Sequence, residues 1–173
     1  MTRSDDTEED DRASLELSYA RYRGRRWFVA GAGRLESNES LGLVLRSQVA
    51  GLVGQRLVNT NHAQFELGAG LVVNDERAVD ADPTQNIEGV FSLETSYYTY
   101  DRPRTQFDAS LQYYPSLSSW GRQRLQLDTT VKYELLKNFF VALHVYDSFD
   151  SAPPKPGASR NDAGVSFSIG WSF

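Results

Sequence analysis

Apolar side chains recur at every second position along most of the chain. In "RQRLQLDTTVKYELL" (122–136) the apolar residues stand at odd positions, with Thr129 as the exception. The even positions from 124 to 134 carry Arg, Gln, Asp, Thr, Lys and Glu. The stretches "HAQFELGAGLVV" and "LGLVLRSQVA" repeat the alternation. Because successive side chains of a strand point to opposite faces, this pattern predicts β-strands with one apolar and one polar face.

Turn residues separate the alternating segments, and we predict a strand for each segment. The predicted strands are 13–22, 25–36, 40–57, 62–74, 86–100, 104–116, 122–135, 139–149 and 161–173. Most of them exceed the roughly 5–6 residues of an ordinary strand in a soluble protein. They reach the roughly 9–11 residues that a membrane-spanning strand needs. The linkers alternate between long (150–160, 75–85) and short (136–138, 59–61), which is typical of transmembrane barrels.

These patterns predict an all-β fold, an antiparallel up-and-down transmembrane β-barrel of about 8–10 strands. The odd face would meet lipid and the even face would line the lumen. The predicted lumenal charges are Arg34, Glu36, Arg46, Glu66, Glu88, Glu94, Asp108, Arg124, Asp128, Lys132 and Glu134, with Glu16 on the same parity. A lumen of this size is just wide enough to fill with side chains. We therefore expect a mostly plugged barrel with a wet, acidic interior that conducts poorly.

Aromatic residues of the odd parity gather at one end of the predicted strands, where an interfacial belt would lie. The predicted periplasmic belt comprises Trp27, Phe65, Tyr97, Phe107, Tyr133, Phe139, Trp171 and Phe173. Tyr113 and Phe149 are the candidates for the opposite rim. A core in a soluble protein would scatter its aromatic residues along the strands, so the clustering favours a membrane.

Composition limits the remaining possibilities. The 173 residues include no cysteine. Their net charge of −5 is not the positive charge that is typical of a nucleic-acid-binding protein. We predict a disordered acidic segment at 1–12 and a barrel over 13–173. Nine strands would place the two ends on opposite sides of the membrane, whereas single-chain bacterial barrels normally have even counts. We therefore expect an upstream strand and a signal peptide to precede this chain.

From Tyr22 onward the chain resembles the salt-induced outer-membrane proteins, domain of unknown function 481. The residues that carry the resemblance are "RRWFVAGAGRLESNESLGLVLRSQVAGLVGQRLVNT", "NIEGVFSLETSYYTYD", "YYPSLSSWGRQR" and the ending "LLKNFFVALHVYDSFDSAPPKPGASRNDAGVSFSIGWSF". The resemblance implies a location in the bacterial outer membrane. It also implies that Phe173, Trp171 and Ile169 form the signal read by the barrel-assembly machinery. Members carry a signal peptide and more chain ahead of "RRWF", and the family brings no assigned catalytic residue.

The candidate chemistry of the chain is sparse. His144 has the lumenal parity and could serve as a general base, but the sequence fixes no partner acid or serine beside it. Asp147, Asp150 and Asp162 flank a proline-rich loop, and they lack the close spacing of a calcium site, so we expect solvated carboxylates. We predict no catalytic residue, no metal and no cofactor.

The sequence thus predicts a non-enzymatic barrel of the bacterial outer membrane, in contact with lipid and with a structural or salt-stress role in the envelope. Its ligand, if it has one, is unknown, and no nucleic-acid partner is expected. Four alternatives remain open: a narrow pore, a small-molecule or lipid-binding barrel, a lipid-modifying enzyme that uses His144, and a soluble lipocalin-like binder. In the lipocalin-like alternative the odd apolar face would line a cavity.

Overall fold

The computed structural model describes most of the chain, namely residues 12–38, 43–78, 82–101, 103–153 and 157–171. Arg12 begins the first strand, one residue before the predicted start. The rest of the predicted acidic segment, residues 1–11, lies outside the described residues, as does Phe173.

Nine strands account for nearly all of the described residues, and each corresponds to one predicted strand. They are β1 (Arg12–Arg23), β2 (Trp27–Asn38), β3 (Leu43–Asn59), β4 (Ala63–Ala78), β5 (Thr84–Tyr98), β6 (Thr105–Pro115), β7 (Gln123–Leu136), β8 (Phe139–Asp150) and β9 (Asn161–Trp171). The described part of the chain contains no helix that is long and apolar enough to cross a membrane.

The strands form one sheet in which each strand pairs antiparallel with its neighbour in sequence, from β1 to β9. The predicted up-and-down arrangement is therefore confirmed. Within the described residues no ladder joins β1 to β9, so the sheet retains two edges. The sheet nevertheless curls around an interior. Asn38 Nδ2 of β2 donates a hydrogen bond to Asp162 Oδ2 of β9 at 2.7 Å, and Arg34 Nη1 reaches Gln126 Oε1 of β7 at 2.9 Å.

The two faces of the curled sheet have the reverse of the usual polarity. Leu17, Leu71 and Val165 of the odd parity are 81%, 56% and 69% exposed. Arg46 and Glu88 of the even parity are 1% and 0% exposed. The odd face is thus outward and apolar, and the even face is inward and largely polar. The lipocalin-like alternative is wrong on this point, because it placed the odd face inside.

The strand connections define two ends of the sheet, which we name by their connections. The hairpin end is where β1 leads to β2, β3 to β4, β5 to β6 and β7 to β8, and the loop end is where β2 leads to β3, β4 to β5, β6 to β7 and β8 to β9. The predicted linker 75–85 is wrong, because β4 and β5 continue pairing as far as Glu76 and Thr84. The extra pairing has a physical reason: Glu76 is 1% exposed and forms ion pairs with arginines inside the sheet.

Gly70 of β4 lies close to the backbone of β3. A Cβ added at Gly70 would overlap the carbonyl oxygen of Gly51 and would lie 2.6 Å from the Leu52 Cα, both of them backbone atoms. We expect Gly70→Ala to lower the free energy of unfolding by roughly 1–3 kcal/mol, as overpacking does. Denaturant unfolding would measure this loss. Gly51→Ala is the matched control, because its Cβ would meet no atom within 4 Å, and an equal loss in both variants would contradict the prediction.

Candidate functional site

Buried charges fill the interior at the loop end of the sheet. Seven residues, which we call the ionic layer, contribute to it: Glu36, Arg46, Glu76, Glu88, Arg122, Arg124 and Asp150. Their positions follow from the strand pattern, since all have the inward parity and six of them stand in strands near the loop end. None is more than 8% exposed. The layer therefore blocks the interior at this end with paired side chains.

Two arginines and two carboxylates form the centre of the ionic layer. Arg46 contacts Glu76 at 2.9 Å and Asp150 at 3.4 Å. Arg122 contacts the same two carboxylates at 2.8 Å and 2.6 Å. Each carboxylate is thus shared between the two arginines. The four side chains come from β3, β4, β8 and the 116–122 connection, so their contacts tie opposite walls of the curled sheet together.

Arg124 and Glu88 form a second pair within the ionic layer. The Arg124 guanidinium donates two hydrogen bonds to the Glu88 carboxylate, one from Nε at 3.0 Å and one from Nη2. The Arg124 guanidinium carbon also lies 4.6 Å from the centre of the Tyr114 ring. This two-point geometry suits Arg, whose planar fork matches a carboxylate.

The carboxylate partners of Arg122 stabilise its positive charge. Burial opposes the positive charge, but the hydrogen bonds to Asp150 and the attraction of Glu76 outweigh burial and raise the pKa of the Arg122 guanidinium. Arg122 therefore stays charged and keeps its pairing with Asp150 and Glu76 at physiological pH. A buried ion pair of this kind contributes little net stability but is costly to break.

A cavity of about 210 Å³ lies next to the ionic layer on the side of the hairpin end. One part of its lining is apolar despite the inward parity: Phe28, Ala30, Ala50, Leu52, Val72 and Val90, which we call the apolar wall. The strand register explains this grouping, because Ala30 pairs with Leu52 and Ala50 pairs with Val72. Polar groups complete the lining, among them Arg34, Gln48, Glu66, Glu94 and Gln112.

Two of the lining carboxylates stand opposite each other on β4 and β5, where Glu66 pairs with Glu94 in register. Glu66 has partners, since it accepts a hydrogen bond from Arg56 Nε at 2.6 Å and lies 3.4 Å from the Tyr22 hydroxyl. Glu94 makes no hydrogen bond or ion pair with any part of the chain that the structure describes. Glu16, a further lining carboxylate, also has no partner among the described residues. The cavity therefore combines an apolar wall with two unpaired carboxylates, and both of these side chains are exposed.

His144 has a carboxylate partner that the sequence did not reveal. Its Nε2 lies 2.8 Å from Asp128 Oδ2 on the neighbouring strand β7. Ser166 and Thr130 stand opposite His144 in the two ladders of β8, but neither hydroxyl is hydrogen-bonded to the imidazole in the described structure. The arrangement therefore supplies a base with an orienting acid but no activated nucleophile. The described residues also contain no group of three or more His, Asp or Glu that could hold a metal ion.

The predicted aromatic belt lies on the outward face near the hairpin end. Tyr97 pairs with Phe107 in register, and the rings of Phe139 and Trp171 lie 5.9 Å apart. Trp27, Phe65 and Tyr133 occupy the same end of β2, β4 and β7. Of the predicted assembly signal, Ile169 and Trp171 are 65% and 55% exposed on the outward face of β9.

The predicted lumenal charges divide among three places in the interior. Four of them belong to the ionic layer, namely Glu36, Arg46, Glu88 and Arg124, and three line the cavity, namely Arg34, Glu66 and Glu94. The other four have local partners: Asp128, near the middle of β7, contacts His144, and toward the hairpin end Asp108 contacts Gln106, Lys132 lies over the ring of Phe140 and Glu134 contacts Arg104.

A family model described as "Protein of unknown function, DUF481" matches residues 1–173. The chain belongs to this family. A search of curated proteins and a search of solved structures found no match. The resemblance read from the sequence is thus confirmed at the level of the family.

In this DUF481 chain the sequence analysis missed three members of the ionic layer. Glu76 and Asp150 were assigned to linkers, and Arg122 was left out of the lumenal charges. The expectation of a solvated carboxylate at Asp150 is wrong, because Asp150 is 1% exposed and paired with two arginines. One signal could have found all three residues, namely their even parity. Glu76 and Asp150 continue that parity past the predicted strand ends, and Arg122 is the first residue of the predicted strand 122–135.

Proposed function

We propose that this DUF481 chain is a bacterial outer-membrane β-barrel whose outward face contacts lipid and whose loop end is closed by the ionic layer. Its role in the envelope is structural, associated with salt stress and non-enzymatic. The barrel-assembly machinery would recognise the end of β9, where Ile169 and Trp171 precede Phe173. The hairpin end would face the periplasm and the loop end the outside of the cell.

The reversed polarity of the two faces supports this proposal. Large apolar side chains such as Leu17, Leu71 and Val165 point away from the interior, while arginines and glutamates are buried inside. In water such a sheet would expose its apolar face along its whole length, and exposed patches of this kind mark membrane or protein contacts. In lipid the same face is solvated by acyl chains. The strands of 11–17 residues are long enough to span the hydrocarbon layer.

Lipid also requires that both sheet edges be paired, because an open edge leaves backbone groups without hydrogen bonds. The proposal therefore includes closure of the sheet between β1 and β9, directly or through one further strand. The ionic layer favours a closed interior over the narrow pore, since its side chains are paired and none is more than 8% exposed.

Heat-modifiability in detergent micelles tests the proposal. We expect the full chain, once refolded into micelles, to migrate differently on SDS gels before and after boiling, because a closed barrel resists the detergent until heated. Circular dichroism on the same sample would report β-structure before boiling. A difference in migration would mean that detergent covers the apolar outward face of the folded chain.

The control for this experiment is refolding in plain buffer without detergent. A chain that folds there to a β-rich, monomeric state would overturn the membrane part of the proposal. Planar-bilayer recording on the micelle sample tests the closed interior separately. A stable and large conductance would favour the pore over the closed barrel.

A further inference from the structure

The cavity beside the ionic layer holds a combination of surfaces that a purely structural interior does not require. Its apolar wall turns valine and leucine side chains inward, in a sheet whose outward face is already apolar. Val72 and Val90 of this wall pack together with Tyr114 and are 2% and 4% exposed. An interior that served only to fill the sheet would place paired polar side chains here, as the ionic layer does.

The cavity is also large enough for a small organic molecule. Its volume of about 210 Å³ exceeds that of an engineered apolar cavity of about 150 Å³ that binds benzene. The lining includes Tyr19 and Gly31, two residues of the outward parity next to the β1 edge. The space therefore extends to the β1 edge of the described sheet.

The charges around the cavity favour a cation. Among the lining residues, Arg34 is engaged with Glu36 at 3.8 Å and with Gln126, and Glu66 is engaged with Arg56. Glu94 and Glu16 remain without a partner among the described residues, and both are exposed where they line the cavity. A carboxylate at the boundary of an apolar surface is stabilised when a cation pairs with it. An anionic headgroup would instead meet Glu16, Glu66 and Glu94 together.

We propose that this cavity binds a small amphiphilic cation, whose apolar chain lies against the apolar wall and whose ammonium group pairs with Glu94. The apolar wall and Glu94 belong to the inward face, so the proposal does not depend on contact between the outward face and lipid. The ligand class is set by the lining: a short apolar body that fits the wall, and a positive head that fits the unpaired carboxylates.

Methyl-detected NMR titration of the refolded full chain with hexylammonium, hexanol and hexanoate tests this proposal. We expect hexylammonium to cause saturable shifts of the Leu52, Val72 and Val90 methyl groups on the inward face. Methyl groups of Leu71 and Val73 on the outward face should change only linearly, as the ligand partitions into the micelle. Hexanol and hexanoate should bind at least about tenfold more weakly, because neither supplies a positive charge to Glu94.

Glu94→Gln is the decisive variant, since it removes the charge and keeps the shape. We expect it to weaken hexylammonium binding about tenfold and to leave hexanol binding unchanged. Asp101→Asn is the matched control, because it removes an equal charge from an exposed turn. We expect it to change neither the affinity for hexylammonium nor the affinity for hexanol. Ala32→Leu is a second variant, which fills the cavity and should weaken both ligands. The methyl spectrum of each variant would show that it has folded.

Three outcomes would overturn the proposal. Equal affinity for hexylammonium and hexanol would mean an apolar pocket without a cation subsite. An effect of Asp101→Asn as large as that of Glu94→Gln would mean a general charge effect. The absence of saturable shifts at the inward methyl groups would mean that the cavity takes no such ligand. If the chain folds in plain buffer, the same titration would be made there, so that a failed membrane proposal and a failed cavity proposal stay distinguishable.

Discussion

Arg124→Met should lower the free energy of unfolding by roughly 3–5 kcal/mol, because it leaves the Glu88 carboxylate buried without its partner. Glu88 is 0% exposed, and both of its oxygens accept hydrogen bonds from Arg124. Methionine keeps much of the apolar length of the arginine side chain, so the loss reports on the charge more than on packing. Urea unfolding in micelles, followed by tryptophan fluorescence, would measure it.

Two further variants separate pairing from simple loss of an arginine. Arg77→Met removes an arginine whose side chain is 65% exposed and lies 3.7 Å from Asp75, so we expect a loss below about 1 kcal/mol. The double variant Arg124→Met with Glu88→Met should recover most of the stability, because it removes both buried charges together. If Arg124→Met cost no more than Arg77→Met, the ionic layer would be hydrated and could not close the interior.

The sequence was sufficient to predict the strands and the two faces, because strand periodicity is a local property. Leu125 and Arg124 reveal their opposite faces without any knowledge of the neighbouring strand. Strand ends were less predictable. The ladder at Glu76 continues because Arg46 and Arg122 reach its carboxylate from other parts of the chain, and no local pattern reports such a partner.

The cavity could not be predicted from the sequence, because its apolar wall carries the parity that was assigned to polar residues. Only the strand register shows that Val72 and Val90 belong to one apolar group, because it places Val72 beside Ala50 and Val90 opposite Gly70. The same holds for the contact between His144 and Asp128, which lie diagonally across the β7–β8 ladder. The two-residue connection 137–138 does not reveal that contact either, because the register of the ladder shifts between Glu134 and Leu136.

Leu71→Arg and Leu135→Arg should differ strongly in stability if the outward face contacts lipid. Leu71 lies in the middle of β4 and is 56% exposed, while Leu135 lies at the hairpin end of β7 and is 52% exposed. An arginine at the middle of the bilayer costs roughly 2–4 kcal/mol, and near the interface the cost falls to about 0–1 kcal/mol. We therefore expect a large loss for Leu71→Arg and a small loss for Leu135→Arg, both measured by urea unfolding in lipid vesicles.

The comparison is informative because the two leucines are almost equally exposed in the structure. If water covered the outward face, both substitutions would exchange one surface side chain for another. Each would then change the free energy of unfolding by less than about 0.5 kcal/mol. A protein partner that covered the middle of the sheet would make Leu71→Arg harmful to assembly, but not to the stability of the isolated chain. A depth-dependent loss in vesicles is thus expected from lipid contact alone, and equal small effects at the two positions would contradict it.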